Sequence, residues 1–343
     1  MRSIRKTFAA ATLAALALAT TSTIAAAQEV NVYTSREPGL AQPLFDAFTA
    51  ETGIRVNTIF VQDGLGERVL AEGPASPADV MMVVDYGQLV NLVDLGITQA
   101  IDSPVLNEAV PANLREAEGH WFALSMRARV LYVSTELDIT AMTYEDLADP
   151  EWAGRICTRS GQHPYNTSLF AAYIAKHGEA ATEEYLRALH ANLARPATGG
   201  DREGARDIMA GICDIAIGNS YYVGLMRGGA GGDEQRQWGN AINVVLPTFE
   251  DGLGTHVNIS GAAIAANAPN RDNAIALLEF LVSEEAQEIY ARANYEYPIR
   301  PGVPADPIIA ALGTLVVDPT PLAELAAHRE QASRLVDIVG FDE

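Results

Sequence analysis

Short alternating apolar segments are followed by helix-like apolar patterns along most of this chain. Residues 29–33 alternate like a first strand, and the apolar side chains of residues 40–48 lie on one face of a predicted helix. Residues 54–60 predict a second strand, and residues 78–84 form a nearly all-apolar strand that is typical of a buried parallel sheet. Because strand and helix patterns continue to alternate without internal repeats, the sequence predicts an α/β architecture.

Two adjacent tyrosines follow a short strand in the second half of the chain. The alternation over residues 213–217 predicts that strand, Gly218 is expected to end it, and the next residues can cap a helix. Tyr221 and Tyr222 would then lie in the first turn of the helix, where two phenols can converge on one ligand. The alternative is aromatic packing with a surface hydroxyl.

A third tyrosine occupies a similar position. Residues 155–158 predict a strand and residues 166–177 a helix, so Tyr165 lies between them, where ligands bind in open α/β sheets. The strand over residues 124–133 carries Arg127 and Arg129, which are two residues apart and therefore share a face. These arginines either pair with acidic neighbours or serve a ligand.

The N-terminal sequence predicts export. Three basic residues precede an apolar run over residues 8–19, and small residues follow up to Ala27, so residues 1–27 are predicted to be a signal peptide cleaved near Ala27. No later apolar run is long enough to span a bilayer, which predicts no membrane insertion and a location in the periplasm.

Charge, cysteine content and missing motifs exclude several classes of partner and of site. The formal net charge of −21 does not suit nucleic acid or an anionic membrane as a partner. Cys157 and Cys213 are the two cysteines, and an exported chain favours a disulfide between them over a thiolate metal site, since no His or Cys cluster is near. The sequence has no nucleophile elbow, phosphate loop, dinucleotide fingerprint or HExxH motif, so it predicts a binding protein and not an enzyme.

Several motifs in combination resemble the periplasmic ferric-ion-binding proteins of bacterial ABC iron(III) transporters. The resemblance covers nearly the whole exported chain, and the segments that carry it are residues 30–36, 76–80, 121–122, 127–129, 219–222, 255–261 and 296–298. It implies a two-domain, type II-like periplasmic-binding-protein clamp with crossing hinge strands. We expect a discontinuous first domain of residues 28–127 plus 253–297, and a second domain of residues 128–252 plus 298–343.

The resemblance also implies a ligand set. The paired tyrosine ligands of the family fall on Tyr221 and Tyr222, and a further tyrosine ligand falls on Tyr165. A synergistic carbonate or bicarbonate would be held by Arg36, with help from Arg127 or Arg129. The partners implied are ferric iron, Fe(3+), and an inner-membrane ABC permease, and the protein is expected to be a monomer.

Glu37 departs from the family pattern, because one branch places a histidine ligand there and another adds a tyrosine where this chain has Pro38. Its carboxylate could bind the metal, hydrogen-bond a bicarbonate or repel the anion. Asp85 falls where a carboxylate ligand occurs in the histidine-using branch, and His256 is expected to be structural. The alternative function is a binding protein for an organic solute or oxyanion, with the tyrosines as an aromatic wall.

Overall fold

The computed structural model describes residues 28–343, so the predicted signal peptide lies outside the described residues. Strands and helices alternate through this part of the chain, as the sequence predicts. The strands are β1 (Glu29–Thr34), β2 (Arg55–Phe60), β3 (Val80–Val83), β4 (Thr98–Gln99), β5 (Phe122–Ser134), β6 (Ile156–Cys157), β7 (Ile215–Asn219), β8 (Ile242–Val245) and β9 (Val257–Ala265). The helices are α1 (Pro38–Thr52), α2 (Leu65–Glu72), α3 (Tyr86–Asp94), α4 (Pro104–Ala109), α5 (Pro164–His177), α6 (Glu179–Ala191), α7 (Asp201–Met209), α8 (Ser220–Gly228), α9 (Gly232–Asn240), α10 (Arg271–Leu281), α11 (Glu284–Asn294), α12 (Pro307–Ala310), α13 (Leu322–Ala326) and α14 (Arg329–Val339).

The strands form one mixed sheet in the order β2-β1-β3-β9-β5-β7-β6, with β4 beside β9 and β8 beside β5. Strand β1 runs parallel to both β2 and β3, whereas β9 runs antiparallel to β3 and β5. All four residues of β3 are buried, as expected for its apolar sequence. Helix α1 buries Leu44, Phe45 and Phe48 against the same core, which confirms the predicted helix face.

Strand β5 changes its pairing partner halfway along its length. Its first half pairs with β9 up to Ala128, opposite Val257. From Arg129 onward it pairs with β7, and its last residues also pair with β8. One long strand therefore belongs to two differently paired parts of the sheet. Arg127 precedes the point where the pairing partner changes, and Arg129 follows it.

The predicted end of one strand differs from the observed one. Strand β7 continues through Gly218 instead of ending there, and a Cβ at Gly218 would lie only 2.3 Å from the ring of Tyr132. The glycine is therefore needed for packing across the sheet and does not break the strand. Helices α13 and α14 are separate, and residues 145–148 and 150–152 form two short 3-10 turns, the second of which begins at Pro150. None of the helices in residues 28–343 has the length and apolarity to cross a bilayer.

The structure confirms the predicted disulfide. Cys157 and Cys213 are bonded, with a Cα–Cα distance of 5.9 Å. Cys157 ends β6 and Cys213 precedes β7, and these two strands are parallel neighbours. The bridge therefore ties together two strands that each lead to a tyrosine-bearing junction.

We predict that replacing both cysteines by alanine lowers the free energy of unfolding by about 4 kcal/mol, because the bridge restricts a long loop in the unfolded chain. The two cysteines are 56 residues apart in sequence. Urea denaturation of the oxidised protein and of the double variant measures the difference. Reduced wild type should unfold at about the midpoint of the variant, and equal midpoints for oxidised wild type and variant would contradict the prediction.

Candidate functional site

The paired tyrosines lie in the first turn of α8, directly after β7, as the sequence predicts. The Tyr132 hydroxyl donates to the carbonyl oxygen of Asn219 at 2.6 Å, and the Ser220 hydroxyl accepts from the backbone N–H of Ala128 at 3.1 Å. Both bonds attach the start of α8 to β5. The rings of Tyr221 and Tyr222 lie side by side, with centroids 4.1 Å apart.

Tyr165 reaches the same place from a different junction. It is the second residue of α5, and its backbone N–H donates to Nδ1 of His163, the residue before that helix, at 3.2 Å. The phenol oxygens of Tyr165 and Tyr221 are 3.4 Å apart. Two separate strand-to-helix junctions therefore bring three phenols together.

The guanidinium of Arg129 connects these two junctions through hydrogen bonds. One of its terminal nitrogens donates to Asn166, the residue after Tyr165, at 2.6 Å. The other donates to Asn219 at 3.0 Å and to Asp201 at 2.6 Å. Asp201 also accepts from the backbone N–H of Asn219 at 2.9 Å. Because these partners are all buried protein groups, Arg129 fixes the spacing of the tyrosines.

The three tyrosines line a cavity of about 240 Å³. Arg36, Glu37 and Arg127 also line it, so the structure brings these predicted site residues together, whereas Arg129 lies outside the lining. The other lining residues are Ser35, Leu40, Val84, Leu225, Asn294 and Glu296. Glu37 is exposed just before α1, and its side chain makes no capping bond to that helix.

A buried carboxylate pairs with the cavity arginines. Arg36 donates from Nη2 to Oε2 of Glu296 at 2.7 Å and from Nη1 to the Ser260 hydroxyl at 3.0 Å. Nη1 of Arg127 is 3.9 Å from Oε1 of Glu296, and the Ser125 hydroxyl also donates to this carboxylate. Burial acts to lower the pKa of Arg36, but the Glu296 carboxylate and the nearby tyrosines together outweigh it, so the pKa is raised overall and the guanidinium stays charged.

The paired phenols are protonated at neutral pH in the absence of a cation. Burial is the main reason that the pKa of Tyr221 lies well above its ordinary value, and negative charge on Tyr165 and Tyr222 raises it further. Burial, followed by charge on Tyr165 and Asp201, raises the pKa of Tyr222 to about 12. Forming a phenolate here therefore requires a strong positive charge in the cavity.

Arginines supply part of that positive charge. The guanidinium carbons of Arg127 and Arg159 lie 5.5 Å and 5.1 Å from the ring centroid of Tyr165, and that of Arg202 lies 5.6 Å from the ring centroid of Tyr222. Guanidinium groups at such positions are attracted to the face of a phenol ring. Of these three arginines, Arg127 lines the cavity, whereas Arg159 and Arg202 lie outside its lining.

Asp85 and His256 lie outside the cavity lining. Asp85 accepts from Asn258 at 2.7 Å and from Gln88 at 3.2 Å, and it forms an ion pair with Arg329. Its carboxylate therefore connects α3, β9 and α14. His256 is buried, and burial lowers the pKa of its imidazole to about 3, which keeps it neutral.

Glu296 is the site residue that the sequence did not single out, although the segment containing it contributed to the family resemblance. Its carboxylate meets Arg36, which follows β1, and Arg127 of β5 only in the folded chain, and no local spacing indicates this. The sequence indicated Ser125 weakly, because it lies two residues before Arg127 and therefore on the same face of that strand. Within residues 28–343, no group of three or more His, Cys, Asp or Glu side chains is placed to hold a metal ion.

The chain belongs to the bacterial extracellular solute-binding protein family, whose model matches residues 33–288. This is a family of binding proteins and not of enzymes, as the sequence predicts. Iron uptake protein A2 of Synechocystis is 41% identical over 335 residues, which cover 96% of this chain and 95% of that protein.

Solved structures with the same fold agree with this assignment. A Bordetella ferric binding protein is 61% identical with a TM-score of 0.89, covering 92% of this chain and 100% of its own. A Trichodesmium protein solved in complex with iron and citrate ligands is 40% identical with a TM-score of 0.87, covering 91% and 99% respectively. The predicted two-domain, type II-like fold is thus confirmed.

Proposed function

We propose that this protein is a periplasmic carrier that binds ferric iron through the phenolates of Tyr165, Tyr221 and Tyr222. The observation that carries the proposal is the convergence of three phenols from two junctions in one arginine-rich cavity. The iron uptake and ferric-binding functions named for its relatives support it. The arrangement fits the donor chemistry, because Fe³⁺ is a small, hard ion that prefers anionic oxygen to thiolate or thioether.

Iron binding has to release protons. The phenols of the pair have raised pKa values, so each must lose its proton as the trivalent ion arrives. Three phenolates balance the three charges of the ion. We propose that one additional anion, a carbonate or bicarbonate, then binds near Arg36 and Arg127, the two arginines that line the cavity. That a relative was solved with iron and citrate is compatible with some added anion.

The predicted domains give this site a closing mechanism. With the boundaries proposed from the sequence, the three tyrosines belong to residues 128–252, whereas Arg36, Glu37 and Glu296 belong to residues 28–127 plus 253–297. Iron would bind first to the tyrosines, and closure of the other domain would cover it. We propose that the loaded monomer then delivers the iron to an inner-membrane ABC permease.

We predict that Tyr222→Phe weakens the visible tyrosinate-to-iron charge-transfer band, because one of three phenolates is lost, and leaves the fold intact. The substitution removes one phenol oxygen and preserves the ring that packs on Tyr221. The absorption spectrum of the iron-loaded variant, with circular dichroism as the check on folding, measures the effect. Tyr297→Phe is the matched control because Tyr297 is outside the cavity lining, and it should keep the band. An unchanged band in Tyr222→Phe would remove this pair from the site and favour an organic solute or oxyanion.

A second prediction concerns release by acid. Because the pKa values of Tyr221 and Tyr222 are raised above the ordinary value of a phenol, lower pH returns their protons and iron affinity falls as pH falls. Removing the anchor of the anion by Arg36→Ala should move half-release to higher pH by about one unit, since a hydrogen bond to a charged group contributes roughly 1.5 to 3 kcal/mol. A pH titration of the visible band, with and without bicarbonate, measures the shift.

Glu37→Gln is the comparison for this titration. If the anion fills the remaining coordination position, this substitution should have a small effect, because Glu37 is exposed at the cavity edge. If Glu37→Gln shifts the pH of half-release whereas bicarbonate and Arg36→Ala do not, the Glu37 carboxylate takes the place of the anion.

A further inference from the structure

Glu296 occupies the side of the cavity where the anion is proposed to bind. It is 4% exposed, and its two carboxylate oxygens face the two terminal nitrogens of Arg36 at 3.4 Å and 2.7 Å. This is the two-point geometry in which guanidinium binds carboxylates most strongly. The Ser125 hydroxyl donates to the same carboxylate and holds it in place.

The arginine donors have little capacity left for a second anion. Nη1 of Arg36 is shared with Ser260, and Nε of Arg36 is shielded from solvent with no hydrogen-bond partner in the structure. Arg127 donates to Ser260 at 3.3 Å and to the carbonyl oxygen of Val84, and its Nε is shielded in the same way. An external anion can therefore reach the two terminal nitrogens of Arg36, called the Arg36 fork below, only by displacing the Glu296 carboxylate.

We propose that Glu296 is an internal competitor for the anion, an inference that rests on the proposed function of the cavity. In the iron-free protein, its carboxylate holds Arg36 and blocks stable binding of small anions such as bicarbonate. When iron arrives, the metal supplies a second attachment point, so an anion bound to both iron and arginine can displace the carboxylate. Glu296 thus makes anion binding depend on iron.

Replacing Glu296 by glutamine tests this competition without iron. The amide keeps the shape but loses the charge, so the Arg36 fork becomes available to an external anion. We expect the iron-free Glu296→Gln variant to bind bicarbonate at least about tenfold more tightly than wild type, a change of ~1.4 kcal/mol. Titration of the melting temperature with sodium bicarbonate, at constant ionic strength set by sodium chloride, measures the affinity.

Asp207→Asn is the matched control. Asp207 is also a buried carboxylate paired with two arginines, Arg195 and Arg206, but it lies outside the cavity lining. This variant should lose stability without gaining a response to bicarbonate. Adding Arg36→Ala to Glu296→Gln should abolish the gained response, since the fork itself is then missing.

A milder variant keeps the test decisive if Glu296→Gln does not fold. Ser125→Ala removes the hydroxyl that holds the carboxylate and retains its charge, so it should raise bicarbonate affinity in the same direction by a smaller factor. The proposal would be overturned if Glu296→Gln and Ser125→Ala, or whichever of the two folds, bound bicarbonate with the same affinity as wild type.

Iron loading separates this inference from the proposed function. If the Glu296→Gln variant lost the visible band even with bicarbonate, Glu296 would be a direct iron ligand and not a competitor, and the inference would be wrong. If wild type itself showed no band, the iron proposal would fail, while the result of the iron-free anion titration would still stand.

Discussion

The buried guanidinium of Arg129 is the constraint on which the arrangement of the tyrosines depends. It binds Asn166 beside Tyr165 and Asn219 at the start of α8, and it is neutralised by Asp201. A charge buried this deeply is tolerated only when its partners are charged or hydrogen-bonded, so the network cannot loosen without a large cost in free energy. The phenols of Tyr165 and Tyr221 are consequently held 3.4 Å apart before any metal arrives. The phenols are therefore pre-organised, and under the proposed function iron binding loses little free energy in ordering them.

This constraint also explains why two arginines that are two residues apart on one strand have different roles. Arg127 lies on the half of β5 that pairs with β9, and it lines the cavity. Arg129 lies where β5 begins to pair with β7, directly opposite Asn219. The sequence placed both on one face and left open whether they serve a ligand or pair with acidic groups. The structure shows Arg129 paired with Asp201, whereas Arg127 contacts both protein groups and the cavity.

Much of the fold could be predicted because it depends on local patterns. The apolar face of α1, the buried strand β3 and the position of Tyr221 and Tyr222 in a first helical turn follow from spacing alone. The extension of β7 through Gly218 could not be predicted, since it depends on Tyr132 from another strand packing against the glycine. Glu296 was missed for the same reason: its partners Arg36 and Ser125 are distant in sequence and meet only in the folded chain. The disulfide was predictable because only two cysteines were present to pair.

The central claim is that iron is held by ionised tyrosines, and ultraviolet difference spectroscopy tests it most directly by counting ionised phenols. Iron-free and iron-loaded protein are compared at one neutral pH, since the pair is protonated until the metal arrives. The account predicts that loading ionises three tyrosines per iron, and that Tyr165→Phe, Tyr221→Phe and Tyr222→Phe each lower the count by one. Iron binding without any tyrosine ionisation, or an equal count in wild type and all three variants, would contradict it.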